Sequence, residues 1–190
     1  MSNNKLRQQP NGWCVWVTGL PGSGKSTVSR ALHEHLEDIG VHAQIVSSDA
    51  LREVMTPNPS YTEEERDAVY AVIFFVAKLL TKNGVNVIID ATGNRRRYRD
   101  VARKKIRCFV EAYIRCPIEI CIKREAQRRK SFHAPKNIYK NGLTGKSVTV
   151  PGIGVPYEEP LHADVIVDSD KLNPKQSAHK IFEAIIKKVM

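Results

Sequence analysis

The chain has 190 residues, 42% hydrophobic and 26% charged, with a formal net charge of +10. That length suits one domain with a proper core, and the balance is that of a globular protein rather than a disordered one. No apolar run is long enough to span a bilayer, and Cys14, Cys108, Cys116 and Cys121 lack paired C-x-x-C spacing, so they read as reduced core residues of a cytoplasmic protein.

Met1 to Gly12 is polar, has no signal-peptide core, and is expected to be a disordered arm ahead of a folded domain over 13–190. An apolar strand over Trp13–Thr18 follows. It runs directly into Gly19-Leu20-Pro21-Gly22-Ser23-Gly24-Lys25-Ser26-Thr27, and then into a helical pattern ending at Ile39 with Gly40 as its stop. Strand, glycine loop and helix start are the context in which G-x-x-x-x-G-K-[ST] is a phosphate-binding P-loop. Glycines let several N–H groups turn onto one polyphosphate, and the helix dipole adds positive potential. Lys25 adds a mobile cation, while Ser26 offers a hydroxyl to Mg²⁺. The implied ligand is a nucleoside triphosphate, with ATP and Mg²⁺ as donor and metal.

A second strand, His42–Ser47, places Asp49 at its C-terminal end, on a short helix that carries Arg52. Pro57-Asn58-Pro59 is a loop, and Thr62-Glu63-Glu64-Glu65 is a capping box opening a helix to Lys82. The apolar content of that helix, including Phe74, Phe75, Leu79 and Leu80, predicts heavy burial. Val85–Ile89 is a central strand with Asp90 at its end, Arg95–Arg107 a basic helix, and Phe109–Ile114 a fourth strand. Pro117 opens a helix to about Arg129, Val165–Val167 is a last strand, and Pro174 starts a final helix to Lys188. The alternation predicts an α/β, three-layer P-loop NTPase fold, with a five-stranded, mostly parallel sheet covered by helices on both faces. Ser131–Pro160 breaks the alternation, is rich in Gly, Pro, Lys and Asn, and reads as a lid that excludes water from phosphoryl transfer.

Ligands of open α/β sheets bind at the carboxyl ends of the strands, where the P-loop, Asp49, Asp90 and the start of the basic helix converge. Asp49 and Asp90 are candidates for metal coordination and for accepting a proton from an acceptor hydroxyl, or are simple helix caps. GTPases need a base-reading N-K-x-D that this chain lacks, and motor ATPases need more chain, which leaves a small-molecule kinase. Arg95-Arg96-Arg97-Tyr98-Arg99 reads as a solvated face, an anion-binding face with Arg96 and Arg99 nearest the sheet edge, or a nucleic-acid contact. Lys123-Arg124 and Arg128-Arg129-Lys130 border the lid, where arginines either reach the transferring phosphate or form a solvated helix end.

From Trp13 onward the sequence resembles the adenylylsulfate kinase family, which phosphorylates the 3′-hydroxyl of adenylyl sulfate. The resemblance rests on the P-loop, on Phe75-Val76-Ala77-Lys78-Leu79, on Pro135-Lys136-Asn137-Ile138-Tyr139-Lys140, and above all on Pro151-Gly152-Ile153-Gly154-Val155-Pro156-Tyr157-Glu158-Glu159-Pro160. It implies that Asp49, Arg52, Tyr61, Arg66 and Ile153 grip adenylyl sulfate, with Tyr61 on the adenine, and that Lys136 reaches the phosphates. Lys25, Asp49 and Lys136 are then the catalytic set, Ser26, Asp49 and Asp90 the metal set, and Arg96 a further acceptor contact. The implied partner is a small nucleotide rather than a membrane or nucleic acid, and a homodimer is compatible with it. Ser47, Ala68 to Val72 and Gly93-Asn94 depart from the family pattern where acceptor is read. Asp90 to Arg96 instead resembles the D-A-T-N-x-x-R segment of sugar-phosphate and polynucleotide kinases. About ten extra residues separate Arg124 from the lid motif.

Overall fold

The computed structural model describes residues 11–128 and 133–189. These form β1 (Cys14–Thr18), α1 (Lys25–Asp38), β2 (Ala43–Ser47), α2 (Ser48–Met55), α3 (Glu63–Lys82), β3 (Asn86–Asp90), α4 (Arg96–Lys105), β4 (Phe109–Arg115), α5 (Ile118–Ala126), α6 (Ile138–Leu143), β5 (Val165–Asp168) and α7 (Pro174–Val189). The sheet order is β2-β3-β1-β4-β5 and every pairing is parallel, where a mostly parallel sheet was expected. The expected arm lies largely outside the described residues. Gly12 does not belong to it: it is buried, and its N–H donates to Thr81 O at 2.8 Å.

β1 is central, and its side chains alternate between two cores, as the pleat requires. Val15 and Val17 pack with Val28, Leu32 and Leu36 of α1 and with Ala178, Ile181 and Ile185 of α7. Cys14 and Trp16 pack on the other face with Val69, Ile73 and Ala77 of α3 and Tyr98 and Ala102 of α4. Trp16 is fully buried and donates Nε1–H to Ala91 O at 2.9 Å. Emptying that position would cost about 3–5 kcal/mol.

Two expectations are corrected. α3 does not bury all its apolar residues: Ile73 and Ala77 face the sheet, while Phe75 and Leu79 are 64% and 52% exposed. One helix turns only a limited stripe toward a sheet, and α3 carries more apolar side chains than that stripe holds. The presumed loop after α5 contains α6, which opens without a side-chain cap of its own. Glu125 of α5 supplies it instead, accepting from Ile138 N at 3.2 Å and Tyr139 N at 3.5 Å. α5 itself stops at Ala126, and Arg129 and Lys130 lie outside the described residues.

Candidate active site

The chain turns from β1 to α1 through two left-handed glycines, Gly22 (φ 76°) and Gly24 (φ 96°). A Cβ at Gly22 would lie 2.3 Å from Cys121 O, so the loop closes onto α5 only with glycine there. Gly24 has open space beside it and caps α1, leaving the first N–H groups of the helix facing outward. The loop is braced from behind: Tyr139 donates to Pro21 O at 2.8 Å, and Ser169 Oγ to Ser23 O at 2.7 Å. Ser23 Oγ is buried within this cradle without a hydrogen-bond partner among the described residues. Lys25 Nζ donates to Leu20 O at 3.1 Å, its one hydrogen bond among the described residues.

The loop forms one wall of a cavity of about 330 Å³. Pro21, Gly22, Gly24, Lys25, Ser26 and Thr27 line it, whereas Gly19, Leu20 and Ser23 sit behind. Leu20 packs in an apolar cluster with Cys121, Tyr139 and Val150. Asp49, on the first turn of α2, lines the cavity between the loop and the opposite wall. Asp90 is buried beside it, near enough to the Ser26 hydroxyl for that group to favour its charged form. Burial raises both carboxyls above the ordinary aspartate range, with Lys25 pulling each back down. Burial likewise lowers the Lys25 ammonium, which Asp90 and Asp49 partly sustain.

Ser26 and the two aspartates are hard oxygen donors of the kind Mg²⁺ takes alongside phosphate and water. Among the described residues no group of three or more His, Cys, Asp or Glu side chains is disposed to hold a metal by itself. The donor set fits a magnesium ion that is completed by phosphate and water oxygens.

The opposite wall comes from α2, α3 and the 147–151 segment. Arg52 is buried and paired with Glu65, and its guanidinium lies 4.7 Å from the Tyr61 ring. Glu65 Oε2 also accepts from Ser60 N and Oγ, both at 2.6 Å, and from Tyr61 N at 3.1 Å. That corrects the capping box. Thr62 Oγ accepts from Glu65 N at 3.3 Å, but the Glu65 carboxylate turns to the preceding loop instead of the Thr62 N–H. The loop holds Tyr61 at φ 56°.

Arg66 is 7% exposed and donates to three neutral oxygens: Tyr61 O at 3.0 Å, Asn94 Oδ1 at 3.5 Å and Thr149 O at 2.6 Å. Among the described residues it makes no ion pair, so it presents a buried, uncompensated charge to the cavity. Arg128 and Lys136 line the cavity on the α5 to α6 side.

The basic helix is placed elsewhere. Arg96 donates its N–H to Glu158 Oε2 at 2.8 Å and its Nη1 to Glu159 O at 3.2 Å, outside the cavity lining. Arg95 pairs with Glu158 at 3.1 Å, Arg97 with Asp67 at 2.5 Å and Arg99 with Glu111 at 2.6 Å. The run is thus neutralised internally and fastens the 156–159 segment to the sheet edge. Ile153 sits on a turn between Val150 and Val155, and is also outside the lining. Sequence reasoning missed Asn94 and Thr149, whose signal is a partner 28 and 83 residues along the chain, and saw Glu65 only as part of a helix cap. It also missed Tyr70, whose hydroxyl accepts from Gly93 N at 2.9 Å on the cavity floor.

The family model described as adenylylsulphate kinase matches residues 11–168. A probable adenylyl-sulfate kinase of Archaeoglobus fulgidus is 36% identical over 157 residues, covering 83% of this chain and 96% of the relative. An adenylyl-sulfate kinase of Rippkaea orientalis is 33% identical over 180 residues, covering 95% and 93%. The solved structure of the Mycobacterium tuberculosis APS kinase CysC in complex with AMPPNP and APS superposes with a TM-score of 0.82 at 26% identity, covering 93% of this chain and 99% of that one.

Proposed function

Because the chain belongs to the adenylylsulphate kinase family, we propose that it transfers the γ-phosphate of ATP to the 3′-hydroxyl of adenylyl sulfate. One observation carries the reading: a single cavity joins a phosphate cradle to a wall bearing Tyr61 and the uncompensated Arg66, with Asp49 between them. The loop amides and Lys25 hold the β- and γ-phosphates. Ser26, with Asp90 and Asp49, would hold Mg²⁺, which would supply charge neutralisation on the phosphoryl oxygens. Tyr61 offers its ring to the adenine, and Arg66 its charge to the acceptor's anion. Asp49 orients the attacking hydroxyl and takes its proton. Segment 133–160 acts as the lid, with Lys136 at the phosphates and Thr149 tied to Arg66, so that acceptor binding and water exclusion are linked. Four free cysteines suit a reducing, cytoplasmic setting.

Arg52 is already matched by Glu65, and Ala71 and Val72 stand where the family carries paired arginines. That favours, as a second reading, a different small anionic acceptor, such as a sugar phosphate or another nucleotide conjugate. ADP release measured with each acceptor class in turn tests both. Strong stimulation by adenylyl sulfate sustains the first reading, and stimulation only by another class replaces it.

A further inference from the structure

The cavity holds more cations than the roles above employ. Arg124 lines it but is committed elsewhere, donating to Ser169 O at 2.8 Å and Oγ at 3.1 Å, and so buttressing the P-loop. Lys136 lines it from an exposed position. Arg128 differs from both. It lies just beyond α5, in the stretch that is longer than the family's lid spacing, so no family motif assigns it a role. Its side chain is only 22% exposed. Its Nη2 donates to Pro135 O, and Glu125 stands 3.6 Å away, so the guanidinium is held at two points while it faces the cavity. Glu125 is itself fixed by the α6 amides it caps. Arg128 also acts electrostatically on both Lys25 and Asp49, the two groups that bracket the transferring phosphate in that reading.

We propose that Arg128 is a further catalytic residue of the phosphoryl transfer, supplying from within the chain the arginine that neutralises the γ-phosphoryl oxygens as they leave ADP. The inference rests on the kinase reading above but not on the identity of the acceptor. In the step, the bond from γ-phosphorus to the β–γ bridging oxygen breaks, and a bond to the acceptor oxygen forms. The hydroxyl proton passes to Asp49, and the electron pair of the broken bond stays on ADP. Charge spreads over the three equatorial oxygens, where a planar guanidinium with several donors acts better than a point charge. Arg128 leaves protonation states unchanged and only stabilises that charge. Glu125 is a positioning residue, holding Arg128 at the cavity and α6 behind it.

Two measurements on the full chain test this. Nucleotide affinity is read by calorimetry with Mg²⁺ and no acceptor. Arg128→Ala is expected to weaken the β,γ-imido analogue of ATP about 10-fold while leaving ADP within about twofold, since only the former carries a γ-phosphoryl group. Turnover is then read with the acceptor that stimulates the wild type. Arg128→Ala is expected to lower kcat by about 100-fold or more, with Arg128→Lys recovering part of the loss. Equal weakening of both nucleotides, or a kcat within about threefold of wild type, overturns the proposal, because a merely structural arginine would behave so. A wild type that ignores adenylyl sulfate sinks the acceptor reading alone, since the two nucleotide affinities are measured without acceptor.

Discussion

The two walls of the cavity are built by different means. The donor corner is nine consecutive residues whose working groups are backbone amides, one ammonium and one hydroxyl. Nearly all its support comes from behind, through Tyr139, Ser169 and the closeness of Cys121 to Gly22. The acceptor wall is assembled from α2, α3, the Asn94 turn and the 147–151 segment. Its charged groups are tied into the wall itself: Arg52 to Glu65, and Arg66 to neutral oxygens of Tyr61, Asn94 and Thr149. On the first wall the functional atoms are spare, and on the second they also hold the wall up. A substitution at the donor corner should therefore cost chemistry with little loss of stability, whereas one at the acceptor wall should cost both.

The sharpest test of the donor half is Lys25→Ala. It removes a cation whose one hydrogen bond among the described residues goes to Leu20 O, and whose charged form burial already disfavours. We expect kcat to fall about 10³-fold, with a melting temperature within a few degrees of wild type. A variant that unfolds would break the contrast between the walls. Asp49→Asn comes next. It should lower kcat about 100-fold or more while ATP affinity holds. Asp49 also sets a pH signature. Burial holds its carboxyl above the ordinary aspartate range, and Lys25, Arg52 and Arg128 only partly reverse this. The base must be unprotonated, so kcat/KM should fall as pH drops through that raised pKa. The acid limb then lies higher than for an exposed aspartate, and it should vanish in Asp49→Asn. A pH profile unchanged by the substitution would remove Asp49 from the proton transfer.

On the acceptor wall the largest effect belongs to Arg66. Arg66→Ala deletes a buried guanidinium that ties α3 to Thr149, so acceptor KM should rise about 30- to 100-fold. Thr149 O, Tyr61 O and Asn94 Oδ1 lose their donor, which should cost about 2 kcal/mol in denaturant unfolding. ATP affinity should stay within about twofold. If ATP binding fell as far as acceptor binding, the walls would be one coupled unit.

The same contrast explains what was legible in the sequence. Loop, strand and helix in immediate succession define the donor corner from local pattern alone, and the strand-end positions of Asp49 and Asp90 follow from parallel-sheet geometry. The acceptor wall depends on pairings across long stretches of chain. Arg66 meets Thr149, which lies 83 residues on, and Arg95 meets Glu158 after 63. No local pattern reports such a meeting, so Arg96, which reads as an acceptor contact by phase, is found serving Glu158 and Glu159. α6 was hidden for the same reason: its cap comes from Glu125, 13 residues before Ile138. Glu65 was seen, but in the wrong role, because a capping box and a loop clamp share one sequence spacing.

Glu65 supplies the subtlest test, since it touches neither substrate. Its carboxylate receives Ser60 N, Ser60 Oγ and Tyr61 N, and pairs with the buried Arg52. Glu65→Gln keeps the volume and one acceptor oxygen but leaves Arg52 without its counter-charge, while turning an amide NH₂ toward donors. Removing one partner of a buried pair generally costs about 3–5 kcal/mol. Here Asp49 also interacts with Arg52 and offsets part of that, so a loss of about 2 kcal/mol is expected, or about 4–8 °C in melting temperature for a chain of this size. The loop that holds Tyr61 should loosen, raising acceptor KM a few-fold, while ADP affinity and kcat stay near wild type. A variant as stable as wild type would mean that Arg52 finds its balance elsewhere. A variant with unchanged stability but lower acceptor KM would mean that Arg52 is an acceptor ligand which Glu65 holds back, and the view of this wall as self-supporting would fail at its first residue.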